Sequence, residues 1–216
     1  MTSLSRRAFV TVSAAALLTG CGGGNDTAPA TNSAAKKGSS GEGGAGQGSS
    51  APAARTGTKV VHALARSVPV TLRVPAIGVD TPVMRLGLAP DGTVQVPPIT
   101  AHDRAGWYRY SPTPGGTGPS VILGHVTVGA YGDGVFRHLA RLRAGDRIDV
   151  VLENGTTALF AVTAVRTVAK AEFPSDEVYG NVDRPELRLI TCGGTRTGTG
   201  YPDNVIVFAA LTAARP

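Results

Sequence analysis

Two residues hold the reactive chemistry of this chain, Cys192 and His125. A thiolate is a strong nucleophile, and the thioester it forms with an acyl group can be reopened by an amine. An imidazole changes charge near neutral pH, so beside a thiol it can favour the thiolate and exchange a proton with an amine. Each of the two stands at the end of an apolar run. Val121-Ile122-Leu123-Gly124-His125 closes on Gly-His, and Arg188-Leu189-Ile190-Thr191-Cys192-Gly193-Gly194 closes on Thr-Cys and a glycine pair. A side chain at the end of a rigid strand is held in place yet can face a cleft. Glycines behind it let a substrate backbone approach. The two residues are 67 positions apart, so only the fold can bring them together. Taken singly, a cysteine in an apolar run is also an ordinary buried side chain, and a strand-end histidine is an ordinary partner for a loop. His62 in the tail, His102 in a polar loop and His138 on a short predicted helix read as structural or solvated. One Cys and one His are too few ligands for a metal site, so no metal and no cofactor is expected.

The elements that must position this pair read as strands. Val70–Val74 alternates apolar and polar residues, as a half-buried strand does. Thr81–Leu88, Thr93–Val96, Ser120–Leu123, Arg147–Leu152, Ala158–Val168, Glu186–Thr191 and Val205–Leu211 are the other predicted strands. Asp91-Gly92 and Asn154-Gly155 are hairpin turn signals, and Pro112, Pro114 and Gly115-Gly116 mark a loop. Only Val135–Leu142 has helical spacing, through Val135, Leu139 and Leu142. Short strands with frequent turn punctuation imply an all-β domain, a closed or nearly closed barrel with one or two short helices. No βαβ rhythm and no internal repeat is visible.

The first third of the chain is different. Residues 1–21 read as an export signal: Arg6-Arg7 precede an apolar run from Ala8 to Leu18, too short for a membrane span and suited to a signal peptide. Ser5-Arg6-Arg7-Ala8-Phe9 resembles a twin-arginine signal. Leu18-Thr19-Gly20-Cys21 resembles a lipobox, which makes Cys21 the expected lipidation site and removes it from any pairing with Cys192. Residues 22–65, rich in Gly, Ala and Ser, read as a disordered tether, and residues 66–216 as the folded domain. Residues 69–216 hold 14 Lys and Arg against 13 Asp and Glu, whereas residues 1–68 hold 7 against 2. The basic surplus therefore sits outside the domain. That argues against a nucleic-acid partner, which would draw a basic face on the domain itself, and suits a membrane surface. The expected place is the extracytoplasmic face of a bacterial membrane, lipid-anchored or secreted.

With these stretches on the page, the chain resembles the sortase family, most closely its actinobacterial class F. The resemblance runs over about residues 68–213. It rests on Leu72-Arg73-Val74-Pro75-Ala76-Ile77-Gly78-Val79-Asp80, Gly106-Trp107-Tyr108, Val121–His125, Phe173-Pro174, Val178-Tyr179-Gly180, Leu187–Gly194 and Asp203–Val207. It implies an eight-stranded barrel that cleaves a Leu-Pro-x-Thr-Gly-like sorting motif between Thr and Gly. The acyl group then passes to an amine of a peptidoglycan precursor or a pilin. It also implies Cys192 as nucleophile and His125 as general acid, then base.

The family's third residue is an Arg near the start of the last strand. Here that place reads Tyr201-Pro202-Asp203-Asn204, with no Arg. Asn204 could donate its amide to an oxyanion without a charge, and Arg196 in the preceding loop could reach inward with one. The family's groove is walled by the loop before the Cys strand. Phe173, Pro174, Val178 and Tyr179 are therefore expected to contact substrate, or else to pack as an ordinary loop. The missing Arg also leaves open a non-catalytic sortase-like lipoprotein that binds cell-wall peptides. An L,D-transpeptidase would carry His and Cys close together in sequence, which this chain does not.

Overall fold

The computed structural model describes residues 61–198 and 200–216. The predicted signal at residues 1–21, with Cys21, lies outside the described residues, as does the predicted tether up to residue 60.

Eight strands form a closed barrel. In chain order they are β1 Pro69–Val74, β2 Val79–Leu86, β3 Ala105–Tyr108, β4 Gly118–Leu123, β5 Arg147–Leu152, β6 Thr157–Ala169, β7 Pro185–Gly193 and β8 Asp203–Arg215. Around the barrel they run β1-β2-β3-β4-β7-β8-β6-β5, and β5 closes onto β1. Two neighbours are parallel, β2 with β3 and β4 with β7; the rest are antiparallel. Parallel neighbours need a long crossover. Between β4 and β7 that crossover is filled by β5, β6 and the helix α1, Ser175–Tyr179.

The interior is a conventional apolar core. Leu72, Trp107, Ile122, Phe136, Ile148, Phe160, Leu187 and Leu189 are fully buried. A second, smaller cluster lies on the outer face of β4, β7 and β8. There Val121, Ile190 and Ile206 are buried under Val178 of α1. The alternation of a strand explains the division: Leu187 and Leu189 turn inward, while Arg188, Ile190 and Cys192 share the other face.

Three expectations need correction. Thr93–Val96 is not a strand; Asp91-Gly92 does make its turn, but only one bridge, Leu88 to Val94, follows from it. Val135–Leu142 is not a helix. Phe136, Leu139 and Leu142 are buried, so the spacing is real, but it belongs to successive tight turns with a single 3-10 turn at Leu139–Arg141. The α-helix is instead the short α1, in the segment read as a loop. Strand β3 is an addition to the predicted set.

Candidate active site

The register of β4 and β7 brings the reactive pair together. Gly118 pairs with Pro185 and Leu123 with Ile190, a constant offset of 67 residues. Cys192 follows His125 by the same 67. The ladder continues one step past β4, where the Gly124 N–H donates to the Ile190 carbonyl at 3.1 Å. Two residues beyond Leu123 and Ile190, His125 and Cys192 line one cavity of about 180 Å³ with Val96, Leu123, Ile190 and Asn204. Both are half-buried, and Cys192 is a free thiol.

Asn204 enters from the other side. It is the direct cross-strand partner of Cys192 in the antiparallel pair β7–β8, and opposed residues on such a pair share a face. Arg196 does not join them. It is exposed in the loop between β7 and β8 and lines neither cavity that Cys192 touches.

His125 is held by backbone on two sides. One ring nitrogen, Nε2, is 2.6 Å from the Pro97 carbonyl, so Nε2 carries the proton and donates it there. Nδ1 is then the nitrogen left to accept or release a proton. The His125 carbonyl in turn accepts from the Phe136 N–H at 2.9 Å, and the Gly134 N–H donates to the Val126 carbonyl at 3.0 Å. Gly134 approaches so closely that a Cβ there would collide with the His125 carbonyl. Behind His125, a Cβ on Gly124 would lie 2.6 Å from the Phe136 ring. These two glycines let a turn and a strand end close on the imidazole.

The loop after β6 packs against the barrel, the second of the two expectations for it. Val178 is fully buried against Val121, Ile190 and Ile206 and offers a substrate no surface. Phe173 packs against the same cluster and lies 6.1 Å, ring to ring, from Tyr179. Pro174 is half-buried beside Phe173 in a separate surface hollow. None of the four lines the cavity at His125 and Cys192. Tyr179 is held among aromatic rings, with Tyr108 at 6.3 Å; burial, and secondarily Tyr108, push its phenol above the ordinary range.

Sequence reading missed Val96 and Pro97. They stand in an irregular segment between β2 and β3, where no pattern links them to a histidine 28 positions on. It also missed Tyr201, whose hydroxyl is 3.0 Å from the Thr127 hydroxyl and ties the two loops beside Cys192.

A closed mixed barrel with a strand-end thiol beside a strand-end imidazole defines a class, the sortase-like barrel proteins. The chain belongs to the sortase family: the Sortase domain profile matches residues 72–212. Sortases are cysteine transpeptidases. The fold is similar to that of solved sortases of several classes. Sortase C-1 from Actinomyces oris has a TM-score of 0.53 at 23% identity, over 67% of this chain and 75% of that one. A lid mutant of sortase A from Corynebacterium diphtheriae has 0.55 at 21%, over 71% and 74%. Sortase A from Listeria monocytogenes has 0.52 at 18%, over 69% and 90%. No curated protein sequence matches the chain.

Proposed function

We propose that the chain is a sortase that cleaves a Leu-Pro-x-Thr-Gly-like motif between Thr and Gly and passes the acyl group to an amine. The observation that carries this reading is the shared cavity of Cys192, His125 and Asn204. The Cys192 thiolate attacks the threonyl carbonyl carbon, and the carbonyl oxygen takes up the negative charge. The Asn204 amide donates to that oxygen. The C–N bond then breaks, His125 delivers its proton to the departing glycyl amine, and a thioester remains. An incoming amine attacks the thioester, His125 takes its proton, the C–S bond breaks, and Cys192 leaves as the thiolate, which restores the starting thiolate and protonated imidazole. Val96, Leu123 and Ile190 give the cavity an apolar wall suited to the Leu and Pro of the motif.

Within the family, the run Thr191-Cys192-Gly193-Gly194 and the segment Asp203–Val207 favour the actinobacterial class F. The acceptor amine belongs to a peptidoglycan precursor or a pilin, and the enzyme works outside the membrane, held there through Cys21.

The test is turnover of a fluorogenic Leu-Pro-x-Thr-Gly peptide library with a triglycine amine. Wild type should form the transpeptidation product. Cys192→Ala and His125→Ala should lose it, and Arg196→Ala should match wild type within about twofold, as an exposed loop residue does. The opposing reading, a sortase-like lipoprotein that only binds cell-wall peptides, predicts no product from wild type and slow labelling of Cys192 by thiol reagents at neutral pH.

A further inference from the structure

Cys192 touches a second cavity of about 180 Å³, which His125 does not line. Gly193, Gly194, Tyr201, Thr191 and Arg137 line it with the thiol residue. We propose that Arg137 supplies the positive charge that the start of β8 lacks, and that it stabilises the oxyanion formed when Cys192 attacks an acyl carbonyl. The assignment rests on the sortase reading above.

Four observations carry it. Arg137 is the one Lys or Arg among the described residues lining either cavity at Cys192. Among the described residues its guanidinium has one charged partner, Asp133, whose carboxylate lies 3.0 Å from Nε in an ion pair. That leaves both terminal nitrogens uncommitted among the described residues, and these are the atoms with which a guanidinium forks onto an oxyanion. The segment that carries it is also tied to the catalytic pair. The Arg137 N–H donates to the Gly134 carbonyl at 3.0 Å, and its neighbour Phe136 donates to the His125 carbonyl at 2.9 Å. Finally, the other donor at the thiol, Asn204, is neutral, and Arg196 faces solvent.

The guanidinium is 45% exposed, so water screens it in the free protein. A peptide lying across Cys192 displaces that water, and the charge then counts for more at the developing oxyanion. The geometry also makes Asp133 a positioning residue, because it fixes Nε and so aims the two free nitrogens.

The experiment compares two methanethiosulfonate reagents, one sulfonated and anionic, one quaternary ammonium and cationic. They are applied to the full-length chain, and modification of Cys192 is followed by peptide mass spectrometry so that Cys21 does not contribute. Wild type should react faster with the anion. Arg137→Ala and Arg137→Gln should lower the anion-to-cation rate ratio by about tenfold, and Arg137→Lys should keep most of it. In parallel, Arg137→Ala should lower kcat on the sorting peptide by about 10²–10³-fold with little change in KM, and Arg137→Lys should restore part of it. Near-ultraviolet circular dichroism establishes that each variant is folded. A rate ratio unchanged within twofold in folded Arg137→Gln overturns the proposal. So does a loss confined to KM, or a shifted ratio with unchanged kcat. A wild type that labels rapidly but turns over no sorting peptide counts instead against the sorting-motif reading; the rate ratio then still decides whether Arg137 charges the thiol's surroundings.

Discussion

At the scale of single residues, the site is a thiol with a different donor on each side. His125 approaches from β4, Asn204 from β8, and each side chain has one defined orientation. The Pro97 carbonyl commits Nε2 of His125, and the cross-strand register commits Asn204 to the face of Cys192. Because Asn204 sits opposite the thiol, its charge can be changed without changing its shape. Asn204→Ala removes one oxyanion donor and should lower kcat by about 10²-fold. Asn204→Asp should be worse. A carboxylate there disfavours the thiolate, so the pH midpoint of Cys192 alkylation should move upward relative to wild type. Equal alkylation midpoints in the two proteins would place Asn204 out of electrostatic reach of the sulfur. Tyr179 gives a separate, structural titration. Its phenol is held above the ordinary value, so folding favours the protonated form. That stability is fully present below about pH 10 and is lost as pH rises through the folded value. Tyr179→Phe should therefore flatten the alkaline fall in melting temperature, while leaving the neutral range little changed.

At the scale of elements, β4 and β7 set the spacing of Cys192 and His125, and the turn at Gly134 secures it. Gly134→Ala would force a Cβ into the His125 carbonyl, and neither backbone segment can yield cheaply. It should lower turnover far more than it lowers melting temperature, a split that differential scanning calorimetry alongside kinetics would reveal. The packing of α1 on β4, β7 and β8 depends on another device. Arg188 is buried on β7, where it pairs with Glu186, donates to the Glu177 carbonyl and stacks over Phe208 at 4.6 Å. Arg188→Ala would leave Glu186 buried with only the exposed Arg184 beside it, and a broken buried pair costs about 3–5 kcal/mol. Chemical denaturation of the variant measures that loss directly. These elements differ in how legible they were. Strands β4, β7 and β8 are covered on both faces, so they read as continuous apolar runs with a reactive residue at or just past the end. Strand β3 has only four residues, and one is Gly106, whose bare Cα lets Leu86 pack across it. No alternation survives in such a stretch. Arg137 was hidden for the opposite reason: the apolar spacing around it suggested a helix, whereas its segment forms turns in which the Arg137 N–H donates to the nearby Gly134 carbonyl and the Phe136 N–H to the distant His125 carbonyl.

At the scale of the whole molecule, the charge is divided unevenly. The net balance of residues 69–216 is near zero, while the surplus of basic residues lies in residues 1–68. Among the described residues no helix is long and apolar enough to cross a membrane. For the membrane attachment proposed above, Leu18-Thr19-Gly20-Cys21 offers the chemistry. A single acyl chain binds a bilayer only marginally, and a second signal makes the binding stable. Lysines and arginines near anionic headgroups add about 1 kcal/mol each. Lipid on Cys21 together with Lys36, Lys37, Arg55 and Lys59 would meet that requirement. In a bacterial host the full-length chain should therefore fractionate with membranes and incorporate an alkyne-tagged fatty acid. Cys21→Ser should lose the tag and move to the soluble fraction. Its kcat on a soluble sorting peptide should stay within about twofold, because every residue lining the cavities at Cys192 belongs to the barrel domain. A Cys21→Ser protein that keeps the tag, or that remains in the membrane fraction after a high-salt wash, would overturn Cys21 as the proposed point of attachment.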